Sequence, residues 1–153
     1  MRTDARAIAE RICGLILAAV LLRSAASHLG NEFQFLSSLY AYRILGVEQA
    51  AAAASAVPTV QLTLAVCLTF GWWRRGAYLA AGLLFLVFVG VQISALQRGL
   101  EISCGCFGAA DSVTVGPATL SIAGGCAVLS ALGFFLTRLE TTPCDATYDA
   151  ASR

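Results

Sequence analysis

Two cysteines separated by one glycine, in Cys104-Gly105-Cys106-Phe107-Gly108, carry the most distinctive chemistry of the 153-residue chain. Such a pair can close into a disulfide, open into a dithiol or grip a soft metal ion. Closure needs Cα atoms within about 4.4–6.8 Å of each other. An extended backbone sits at the upper limit of that range, so the segment must turn. Gly105 allows the turn because it lacks a Cβ, and Gly108 lets the chain leave in the same way. A ring this small is strained, and strained disulfides are the more oxidising and labile ones. The pattern therefore points to exchange: one thiolate attacks a partner's disulfide and the other resolves the mixed disulfide. Two alternatives stand beside it. One is a passive crosslink. The other is a Cu(I) or Zn site in which His28 joins Cys104 and Cys106 as a third soft ligand.

What must position this pair is a membrane scaffold. Apolar residues make up 58% of the chain and charged residues 12%, against roughly a quarter charged in a soluble domain. A net charge of +1 gives no argument for nucleic acid as a partner. Four apolar runs reach the roughly 20 residues needed to span a bilayer: 12–29, 47–70, 76–96 and 115–136. Single strands cannot satisfy their backbone groups in lipid, so these runs predict helices. Pro58 predicts a kink in the second run. Pro117 suits the first turn of the last helix, where a missing N–H costs little. The spacing of Phe33, Leu36 and Tyr40 suggests a short amphipathic helix in the outer interface, with an ordered loop as the alternative.

Every basic residue apart from His28 is an arginine, and the arginines are unevenly placed. With four spans, Arg2, Arg6, Arg11, Arg74, Arg75, Arg138 and Arg153 share one side, while Arg43 and Arg98 lie on the other. The positive-inside rule then puts both termini in the cytoplasm, with Trp72 and Trp73 in an interfacial belt. The Cys104–Cys106 segment faces a periplasm-like space, where disulfides persist. Of the six cysteines only these two reach that side. Cys13, Cys67 and Cys126 read as small apolar packing residues, and Cys144 falls on the tail. The expected fold class is all-α: an integral membrane four-helix bundle with an extracytoplasmic Cys-x-Cys loop between the third and fourth spanning helices. The bundle would take residues 1–138 and a short polar cytoplasmic tail residues 139–153.

Polar residues inside the spans are the remaining candidates. His28 ends the first span on the side of the cysteine pair, where an imidazolium would raise the thiolate fraction of a nearby thiol. An interfacial histidine bonded to a loop carbonyl is the plainer alternative. Arg23 lies roughly 9 Å below the end of its helix and must face the bundle or snorkel, with Glu48 as its expected ion-pair partner. Gln61 and Gln92 are expected to hydrogen-bond between helices.

On these residues the chain resembles the MauE-like membrane proteins, within the broader DoxX-like group. The resemblance covers most of 12–138. It rests on Arg23 through His28, on Phe33–Tyr42-Arg43-Ile44-Leu45, on Pro58-x-x-Gln61, and above all on Arg98-Gly99 followed by Ser103-Cys104-Gly105-Cys106-Phe107-Gly108. It implies a four-helix membrane bundle associated with redox chemistry, as in maturation of the disulfide-rich small subunit of methylamine dehydrogenase. This chain departs from the family where Gln61 replaces a common acidic residue and where a Lys near His28 is missing. The resulting expectation is an inner-membrane protein, in contact with lipid, whose Cys104 and Cys106 exchange disulfides or electrons with a periplasmic thioredoxin-like or dehydrogenase partner. By analogy with quinone-coupled disulfide generators, the cofactor of such a route would be a quinone. A non-catalytic assembly subunit of a membrane oxidoreductase is the rival of a different class.

Overall fold

A computed structural model describes residues 2–30, 32–41, 46–99 and 116–139. The chain forms five helices: α1 (Arg2–Gly30), α2 (Glu32–Ala41), α3 (Val47–Phe70), α4 (Arg74–Gln97) and α5 (Pro117–Leu139). Four contain stretches long and apolar enough to cross a membrane: Arg6–Gly30, Glu48–Phe70, Arg74–Gln97 and Pro117–Thr137. The shortest of these has 21 residues, about 31 Å at 1.5 Å per residue, which matches the roughly 30 Å of bilayer hydrocarbon. The protein is a multi-pass membrane protein.

The helix ends follow from local chemistry. Gly71 closes α3 with φ 76°, and its N–H bonds Cys67 O at 2.9 Å. Glycine takes this left-handed conformation without a Cβ penalty. Trp73 follows at φ 51° and opens α4, so a turn of three residues joins two antiparallel spans. At the start of α5, Pro117 occupies the first helical position, and the Gly116 N–H donates to Thr119 Oγ1 at 3.1 Å. The expected short helix after the first span is present as α2. Residues 2–11 are helical and continuous with the first span in α1.

Pro58 sits inside α3, which runs on through it. Its missing N–H leaves the Ala54 carbonyl without the usual donor. Hydroxyls add donors around this point: Ser55 to Ala52 O (3.0 Å), Thr59 to Ser55 O and Thr63 to Thr59 O (both 2.9 Å). Ser and Thr commonly support proline-containing helices in membranes in this way.

Helix α1 packs on α3 and α5, α4 packs on α5 and α3, and α2 lies against α3 and α1. The spans thus form a ring, α1–α3–α4–α5, that closes on itself. Leu17, Leu21, Leu64, Leu68, Tyr78 and Phe85 fill its centre. Outward faces carry half-exposed or more exposed apolar side chains such as Leu15, Leu83, Val87, Val128 and Phe135. Water would penalise such a surface by about 25 cal/mol per Å², whereas lipid tails match it. The helices therefore present this surface to lipid.

Candidate functional site

Four polar side chains within the spans lie buried inside the ring. Ser24 and His28 on α1, Gln61 on α3 and Gln92 on α4 are each at most 5% exposed. The spacing explains how α1 contributes two of them. Leu17, Leu21, Ser24 and His28 recur at three- and four-residue intervals and are all buried, so they lie along one helix face. The stripe is leucine in the middle of α1 and polar in its last two turns. On α3, Gln61, Leu64 and Leu68 continue one another in the same way. On α4, Tyr78, Ala81, Phe85, Gln92 and Ala95 do so.

Gln61 Nε2 donates to Ser24 Oγ at 3.2 Å, joining α3 to α1. Ser24 Oγ lies 3.3 Å from His28 Nε2. Ser24 Oγ has one hydrogen and two lone pairs, so it can accept from Gln61 and still either donate to or accept from Nε2, according to the imidazole tautomer. The line Gln61–Ser24–His28 climbs toward the bundle end at which α4 stops and α5 begins. That is the end from which the segment carrying Cys104 and Cys106 departs. Both cysteines lie outside the described residues.

His28 thus faces the bundle interior and bonds a helix side chain. The expected interhelical role of Gln61 is seen directly. Arg23 and Glu48 are both exposed. The Gln61–Ser24 bond fixes the register of α3 against α1. Glu48 lies 13 residues before Gln61, about 20 Å along the helix, whereas Arg23 adjoins Ser24. Among the described residues no group of three His, Cys, Asp or Glu side chains could hold a metal ion. The Cys104–Cys106–His28 combination falls largely outside them. Cys13, Cys67 and Cys126 are free thiols, the last buried in the core, and Cys144 lies outside the described residues.

The opposite end of the bundle holds an ion pair that single-residue reading misses. Arg74 Nη1 bonds Glu10 Oε2 at 2.9 Å, with the Glu10 side chain 3% exposed. Tyr78, 1% exposed, donates its hydroxyl to the Glu10 backbone carbonyl at 2.7 Å. This bond runs from α4 to α1 across the ring. Gly14 and Gly133 make room for Tyr78: a Cβ on Gly14 would lie 2.8 Å from its hydroxyl, and one on Gly133 would overlap its ring. Arg75 Nη2 meets Thr137 O at 3.2 Å, tying α4 to the end of α5. The signal for Glu10 in the sequence is its place in α1, seven residues (about two turns) before Leu17 on the buried stripe.

The profile of the family described as methylamine utilisation protein MauE matches residues 6–137. Comparison with curated proteins and with solved structures finds no match in either. The family match spans the four membrane helices and the linked Cys104-Gly105-Cys106 segment, and the chain belongs to the MauE family of membrane proteins tied to methylamine utilisation.

Proposed function

We propose that this MauE-family protein takes part in thiol–disulfide exchange outside the cytoplasm, with Cys104 and Cys106 as its redox pair. The observation that carries the reading is the Cys-Gly-Cys segment between two spanning helices. The seven-to-two arginine asymmetry supports an orientation with both termini in the cytoplasm of an inner-membrane protein. Cys104 is five residues beyond Gly99, so covalent reach alone keeps it within about 18 Å of Gly99, just past the end of α4.

The step balances as an exchange. A partner dithiol supplies one thiolate, which attacks a sulfur of the Cys104–Cys106 disulfide and forms a mixed disulfide. The partner's second thiolate then resolves it. The partner leaves oxidised, and the pair has gained two electrons and two protons as a dithiol. Return to the disulfide requires a two-electron acceptor, for which a membrane quinone is the expected class. The partner is a thioredoxin-like or dehydrogenase protein of the periplasm, with the disulfide-rich products of methylamine utilisation as the natural setting. His28, at the same end of the bundle, would tune the thiols electrostatically.

Thiol trapping in intact cells with a membrane-impermeant alkylating reagent tests this. The pair should move between protected and alkylated forms as cells are oxidised and reduced. Cys106→Ser removes the disulfide that the partner attacks and should leave the partner dithiol reduced. A pair that never changes state, or full function in the Cys104→Ser, Cys106→Ser double variant, would leave the protein as a non-catalytic assembly subunit.

A further inference from the structure

A small cavity lies inside the bundle, walled by Ser24, Gln61 and Gln92 on its polar side and by Leu21, Phe85 and Ala123 among its apolar neighbours. Gln61 is 1% exposed, and its Oε1 meets no hydrogen-bond donor among the described residues. An acceptor left bare in a low-dielectric interior is costly, and in a membrane bundle no bulk water can relieve it. The cavity volume is about 20 Å³. One water needs roughly 10–15 Å³ of such space, and no organic ring fits. Size and polarity thus select the same occupant.

We infer that this cavity is a binding site for a single water molecule, which donates to Gln61 Oε1 and is a built part of the polar core. A buried water typically needs two to four polar partners. Ser24 and Gln92 line the same space and supply the others. So placed, the water extends the hydrogen-bonded line inward. It bonds the Gln61 amide, whose Nε2 meets Ser24 Oγ at 3.2 Å, and that oxygen lies 3.3 Å from His28 Nε2. The line reaches from the bundle interior to the end where the cysteine segment departs. The water site stands independently of the thiol reading.

X-ray radiolytic footprinting of the full chain in nanodiscs tests the site, because a bound water generates hydroxyl radicals where it sits. Buried Phe85 and half-buried Phe88, which line the cavity, should be oxidised, while Leu68, buried but outside the cavity, stays unmodified. Ala123→Val places methyl groups in the space and leaves the Gln61–Ser24 bond in place. Expelling a water would strand Gln61 Oε1, so Tm falls and oxidation of Phe85 and Phe88 drops to the Leu68 level. In a dry cavity the same substitution fills a void and raises Tm. Unmodified Phe85 and Phe88 in the wild-type protein overturn the inference, as does an unchanged or raised Tm in Ala123→Val. The wild-type footprint decides the matter should the variant not fold.

Discussion

Ser24 holds together the polar end of the bundle through one hydroxyl, which meets both Gln61 and His28. Its replacement by alanine leaves a buried amide hydrogen and a buried imidazole nitrogen without that partner. Hydrogen bonds between membrane helices average about 0.6 kcal/mol and reach about 1.7. Ser24→Ala should therefore destabilise the protein by about 1 kcal/mol, measured by reversible unfolding in mixed micelles. Ser24→Thr, which keeps the hydroxyl, should retain most of that stability. A loss in Ser24→Ala below the error of the measurement would mean that the Gln61 amide finds another acceptor. The Glu10–Arg74 pair is a larger matter. Arg74→Ala strands a carboxylate that is 3% exposed, and breaking a buried pair from one side costs about 3–5 kcal/mol. Because the Arg74 side chain is 27% exposed, solvent should bring the loss to the lower end, about 3 kcal/mol. Glu10→Gln combined with Arg74→Met should recover part of it, and the double-mutant cycle reads the coupling.

Between helices, Tyr78 acts as a crossbar. It leaves α4, passes the bare backbone of Gly133 on α5, and bonds α1 at the Glu10 carbonyl. A methyl group at Gly133 has no room unless the ring moves. Gly133→Ala should cost about 1–3 kcal/mol, the usual range for overpacking a filled core. Tyr78→Leu in the same chain should relieve much of that penalty, since the two effects share one space. Equal losses for Gly133→Ala with and without the Tyr78→Leu change would show that the ring is not what fills the gap. The short Gly71–Trp73 turn belongs to the same scale. A positive φ at Trp73 costs on the order of 1 kcal/mol, which the packing of two long antiparallel spans outweighs.

At the scale of the whole molecule, the apolar surface suits a bilayer, and the arginine bias predicts which way the bundle faces. Trp72 and Trp73 are the only tryptophans of the chain and are 74% and 90% exposed. Their fluorescence should be quenched strongly by lipids brominated near the headgroup and weakly by lipids brominated near the bilayer centre. The reverse order would place the turn inside the hydrocarbon and shift every span. Reporter fusions after residue 99 should report the extracytoplasmic side and fusions after residue 72 the cytoplasmic side. Inverted signals would remove the compartment in which a Cys104–Cys106 disulfide persists.

The four spans were legible because a bilayer imposes a length and a composition that single segments must meet on their own. The run 47–70 coincides with α3, and 76–96 lies inside α4 by a residue or two. Gln61 was legible as an interhelical donor because a carboxamide in lipid must find a partner, although nothing local says which. The Cys-Gly-Cys pair, the arginine asymmetry and the family resemblance are likewise properties of the amino-acid order. Only the tertiary structure decided that Gln61 meets Ser24, 37 positions away, and that Glu10 meets Arg74, 64 away. Such pairs depend on the order of helices around the ring and on their vertical register. Both are set by side-chain fit between neighbours, such as Tyr78 against Gly133, and a hydropathy pattern contains no information about which faces meet.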